Sequence, residues 1–180
     1  MSDMFDTFFG LPLHPFIVHA TEVIVPAAAV LVVLTAVWPR CRRWAGYLPL
    51  ALALVALILV PISTESGERL EGRVGENDLI ERHAELADGL LPWVIGLVVV
   101  AGLLLAWTLF EKRSTRAQAE TADVAQPARR RLRWIPAALI VLALVAASGT
   151  TVQAVLIGHS GATAVWQEDM GTPPSSDSNE

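Results

Sequence analysis

Four apolar stretches of about twenty residues or more divide this chain of 180 residues, and they leave it few ways to fold. They cover residues 16–38, 44–63, 89–110 and 134–158. A helix needs about 20 mostly apolar residues to cross a hydrocarbon core roughly 30 Å thick. No water is available there to pair with peptide groups, so a single-chain run of this length must satisfy its own hydrogen bonds as a helix. The expected fold is all-α, an integral membrane four-helix bundle spanning residues 13–167. A mean hydropathy of +0.50 and 53% hydrophobic residues agree with it.

The first apolar run is read as a retained helix. The segment before it, residues 1–12, has no Lys or Arg and carries Asp3 and Asp6. It lacks the basic stretch of a signal peptide, and no Ala-x-Ala site follows a short apolar core. Orientation follows from charge. Arg40, Arg42 and Arg43 lie between runs one and two, and Lys112, Arg113, Arg116, Arg129, Arg130, Arg131 and Arg133 lie between three and four. Ten of the 13 basic residues thus share one side, leaving Arg69, Arg73 and Arg82 on the other. Basic residues flanking spans stay cytoplasmic, so both termini are expected outside, in a cell inner or plasma membrane. The net charge of −5 averages a basic inner and an acidic outer surface. The inner arginines meet anionic headgroups of the lipid bilayer, and nothing calls for nucleic acid. Cys41 is the single cysteine, so an internal disulfide and thiolate metal sites are excluded.

Two segments read as unstructured: an inner linker over residues 114–128, small and polar, and an outer tail over residues 168–180. The outer loop over residues 64–88 reads differently. Asn77 or Asp78 suits a helix N-cap, with Glu81 three residues after Asp78. Leu79, Ile80, His83, Leu86, Ala87 and Leu90 then repeat with helical spacing. This places His83 on the apolar side of a helix that runs into span three, bent near Gly89 and Pro92.

All four histidines fall on the outer side. His14 and His19 stand at the start of span one, His83 before span three and His159 at the end of span four. In an antiparallel bundle these positions share one end. Pro15 suits a first helical turn. Glu22 stands three residues after His19 on the same face, and Pro26 frees a carbonyl nearby. An ionisable Glu inside a span needs a partner, and His19 is the nearest. On span four, Ala143, Ala147, Thr151, Ala154 and Gly158 form a small-residue stripe that lets a backbone or a flat cofactor approach. Trp44 and Trp107 at the inner level, and Trp93 and Trp166 at the outer, read as interface belts. A weak internal echo pairs His19-Ala20, Pro26 and Trp38 with His83-Ala84, Pro92 and Trp107, as in duplicated hairpins.

Imidazoles without thiolates suit haem iron or a transition metal. A haem needs two axial histidines, met by His19 with His83 or His159, and polar partners for its propionates, met by His14, Arg69, Arg73 or Arg82. A bare metal would instead draw on His19, His83 and His159 with Glu22. Glu22, Ser160 and Arg82 would support the ligands from behind. No Ser–His–Asp arrangement, phosphate loop or HExxH motif is present, so hydrolase and kinase chemistry have no support.

The segments Leu13-His14-Pro15-Phe16-Ile17-Val18-His19, Thr64-Glu65-Ser66-Gly67-Glu68-Arg69-Leu70, His83-Ala84-Glu85-Leu86 and Gly158-His159-Ser160-Gly161-Ala162-Thr163-Ala164-Val165-Trp166 resemble those of a bacterial family of four-span membrane proteins with unassigned function. The resemblance covers about residues 10–167 and marks His14, His19, His83 and His159 as characteristic. Some members are joined to Rieske-type iron–sulfur domains, which implies redox work and an iron–sulfur or other redox partner on the outer side. The chain departs from many relatives at Ala20-Thr21-Glu22. The resulting expectation is a redox module holding haem b, with two alternatives: a transition-metal binding or transport protein, and a structural or assembly subunit with no cofactor.

Overall fold

The computed structural model describes residues 7–8, 11–74, 78–120 and 134–169. Apart from a two-residue antiparallel pairing of Thr7–Phe8 with Leu11–Pro12, the described residues are helical. Helix α1 is His14–Val37, α2 Pro39–Ala45, α3 Leu48–Val74, α4 Asp78–Asp88, α5 Leu90–Glu120 and α6 Ile135–Asp169. The spans are α1, α3, α4 with α5, and α6. The integral membrane four-helix bundle is thus the fold.

Proline and glycine set the breaks. Pro15 lies in the first turn of α1, where its missing N–H costs nothing. Trp38, held extended before Pro39, ends that helix. Gly46, at φ 56°, takes a left-handed turn that a side chain would strain and so separates α2 from α3. Helix α4 begins at Asp78 and breaks at Gly89, as its spacing predicted. Leu86 there has its carbonyl capped from another helix, by Gln153 Nε2 at 2.6 Å.

Two expectations about flanks change. The loop over residues 64–88 begins as a continuation of α3 to Val74. The linker over residues 114–128 begins as α5, which runs to Glu120 because its Glu, Lys, Arg, Ala and Gln residues are good helix formers. Asn77, residues 121–133 with their four arginines, and residues 170–180 of the tail lie outside the described residues, as does most of the segment over residues 1–12.

The spans form a ring in which α1 and α5 each pack against both α3 and α6, while α4 lies on α6. The core is rich in alanine: Ala28, Ala29, Ala53, Ala56, Ala101 and Ala143 are almost wholly buried. Small side chains bring backbones close where no hydrophobic force drives helices together in lipid. Val23, Val30, Ile58, Val99, Val141 and Val155 point outward, as lipid contact requires. Buried Thr21, Thr35, Thr108 and Thr150 return their hydroxyls to carbonyls one turn back.

One arginine of the basic end turns inward. Arg42 is buried and donates from a terminal nitrogen to Glu111 at 2.9 Å, joining α2 to α5. Trp107 packs against the core and Phe110, and Trp93 covers Gly149 on α6, so these two rings are not simple interface belts. Trp38, Trp44, Trp134 and Trp166 are exposed.

Candidate functional site

The same local arrangement occurs twice at the histidine end of the bundle. On α1, His14 reaches across to α3, where its Nδ1 lies 3.0 Å from Ser66 Oγ. The Ser66 hydroxyl donates its single proton to the Ser63 carbonyl at 2.8 Å. On α4, His83 reaches across to α6 with Nδ1 3.0 Å from Ser160 Oγ, and that hydroxyl donates to the Ile157 carbonyl at 2.9 Å. Each serine is followed by a glycine under the imidazole. A Cβ on Gly67 would stand 3.1 Å from His14 Cε1, and one on Gly161 would stand 3.0 Å from His83 Cε1.

The donors and acceptors favour one tautomer, with each serine hydroxyl donating to its backbone carbonyl. A serine oxygen that has given away its proton can only accept, so Nδ1 of each histidine carries the hydrogen. In the neutral ring Nε2 then keeps a lone pair. His19 reaches the same state on its own helix: its Nδ1 donates to the Pro15 carbonyl at 2.6 Å, which has no proton to return. A histidine that ligates metal through one nitrogen typically donates the other N–H to a carbonyl, carboxylate or similar acceptor. Three of the four histidines meet that condition.

The four do not all point to one place. His14 and His83 are half-buried between helices. His19 and His159 are exposed on the outer surfaces of α1 and α6. Glu22 is exposed as well and lies against α6, its carboxylate oxygens 3.5 and 3.8 Å from where a Cβ on Gly158 would stand. Ser160 supports His83 from behind. Arg82 points away on the exposed side of α4, and Arg69 pairs with Glu65 of its own helix at 2.8 Å. The side chain of Arg73 lies outside the described residues. Among the described residues, no three or more His, Cys, Asp or Glu side chains converge on a point that would hold an ion.

Ser66, Gly67 and Gly161 were not among the site residues expected from sequence, although all three stand in recognised motifs. A Ser-Gly dipeptide at the histidine end of each returning helix is the signal that marks them. The internal echo also has a different register: His14, not His19, occupies the place on α1 that His83 occupies on α4.

The profile of a family described as "predicted membrane protein", DUF2231, matches residues 10–174. The chain belongs to this family. The matched region takes in both His–Ser–Gly arrangements and all four spans. No curated protein and no solved structure matches the chain.

Proposed function

We propose that the protein is a membrane redox module that holds a b-type haem between His14 and His83, near the outer face. The observation that carries this reading is the pair of imidazoles, one from each half of the chain, with Nδ1 committed to a serine and Nε2 bearing a lone pair. A bare transition-metal ion held structurally asks for about four protein ligands, and the described residues offer no such group. A haem brings four nitrogens of its own and asks the protein for two. When bound, its iron would supply one-electron transfer. The chain's own residues would orient the two rings through Ser66 and Ser160, and Gly67 and Gly161 would let those rings lie close to the helices. His19 and His159, on the exposed sides of their helices, are left for other work. With both termini outside, an iron–sulfur or other redox protein would meet this end of the bundle from the outer compartment.

The test is the optical spectrum of protein purified from haem-replete cells, with metal analysis alongside. A Soret band is expected, lost in His14→Ala and in His83→Ala and kept in His159→Ala. One rival has its own support. Each of these histidines already bridges two helices, so the pair would also serve as staples in a structural subunit without a cofactor. Wild-type protein with neither haem nor metal, together with lowered stability in both alanine variants, would favour the staples.

A further inference from the structure

A second polar feature lies outside the paired histidines, on the seam where α1 packs against α6. Three hydrogen-bond acceptors of α1 lie within about a turn of one another there without matching donors among the described residues. The Glu22 carboxylate makes no hydrogen bond or ion pair with a described residue. His19, one turn away, has its Nδ1–H committed to Pro15 and presents Nε2 as a lone pair. Pro26 has no N–H, so the Glu22 carbonyl lacks its usual partner four residues on. Across the seam stands Gly158, where a Cβ would lie 3.5 and 3.8 Å from the carboxylate oxygens, so the α6 backbone approaches the carboxylate closely on that side.

Depth and access narrow the ligand. Glu22 lies eight residues into α1, roughly 12 Å from its start at 1.5 Å per residue. Centred in a hydrocarbon band about 30 Å thick, the 24-residue helix puts Glu22 roughly 9 Å inside the band's edge and roughly 6 Å from its middle. The carboxylate is exposed on the side of the bundle beside Val23, which is 67% exposed, so the seam opens sideways toward lipid rather than into the bundle. An ionisable group in such a place is costly without a partner. A fitting ligand dissolves in the bilayer, reaches the carboxylate from its exposed side, and brings hydrogen-bond donors.

We infer that the α1/α6 seam binds a hydroquinone, one O–H donating to Glu22 and the other to His19 Nε2. The existence of the acceptor face is independent of the haem reading, while the choice of a hydroquinone over another donor rests on it. The oxidised quinone has no O–H and meets only acceptors, so the seam discriminates between the two forms.

Binding of 1,4-naphthohydroquinone, kept reduced, to the full chain in lipid nanodiscs tests this by titration calorimetry. The hydroquinone should bind at least about tenfold more tightly than 1,4-naphthoquinone, since a hydrogen bond to a charged group is worth that factor or more. Glu22→Gln and His19→Phe should each weaken it by about tenfold, and Gly158→Leu should block it, with helicity unchanged by circular dichroism. No binding, equal affinity for both forms, or indifference to Glu22→Gln overturns the proposal. So does Glu22-dependent binding of dodecylammonium without the hydroquinone, which would make the seam a cation site. The His83→Ala protein separates the two readings. A hydroquinone that binds with no Soret band in the wild type leaves the seam standing and removes the haem. A Soret band without hydroquinone binding does the reverse.

Discussion

Replacing Ser160 by alanine isolates what the serine does for His83. The variant removes the oxygen that accepts from Nδ1 at 3.0 Å and leaves Gly161 and the helix backbone in place. A neutral hydrogen bond of ordinary length contributes about 0.5–1.5 kcal/mol net. The His83 ring is half-buried, so water replaces part of the loss, and the lower half of that range applies: about 0.5–1 kcal/mol. The same quantity biases the tautomer. With 1.4 kcal/mol equal to a factor of ten, the ratio of Nδ1–H to Nε2–H should fall roughly two- to fivefold. Solid-state NMR of protein with ¹⁵N-labelled histidine in bilayers reads this directly, because protonated and unprotonated ring nitrogens resonate far apart. Ser160→Ala should shift the His83 nitrogens and leave His14 unchanged, and Ser66→Ala should do the opposite. Where haem is bound, either variant should weaken it by about 10- to 100-fold, as for lost supporting partners of other metal ligands. Unchanged His83 nitrogens in Ser160→Ala would refute the tautomer argument, and with it the claim that Nε2 is held ready.

The orientation proposed from charge is checked with single cysteines at Glu68 and Thr115 in a Cys41→Ser background; an impermeant thiol reagent added outside intact cells should label position 68 and spare 115. Gly149→Ala should destabilise the bundle by about 1–3 kcal/mol, because the new Cβ would overlap the Trp93 ring and the core is already full. Trp93→Leu in the same chain should recover part of that loss, measured by unfolding in mixed detergent.

The spans were legible because the bilayer imposes one rule on every residue of a run, and hydropathy records it locally. The break at Gly89 and the start at Asp78 were equally local, each set by residues within a turn. The flanks were less so: α5 continues to Glu120 through a segment whose polarity suggested a linker, since helix propensity survives where apolar periodicity ends. The site was legible in part. Placing all four histidines at one end required only topology, but their partners depend on how the helices mesh. Ser66 stands 52 residues from His14, and Ser160 stands 77 from His83. Those pairings are decided by alanine contacts deep in the bundle and by the break before Leu90, neither of which a pattern along one helix encodes. Glu22 shows the limit most plainly. Its spacing from His19 was visible, yet the side of α1 on which both lie is set by α6, whose backbone at Gly158 approaches the carboxylate closely. Ser148-Gly149 makes the same point from the other direction. It has the same two residues as the pairs at 66 and 160, but Gly149 sits deep in a span under Trp93 and supports no histidine. A Ser-Gly pair thus holds an imidazole only where a histidine of another helix arrives at its level.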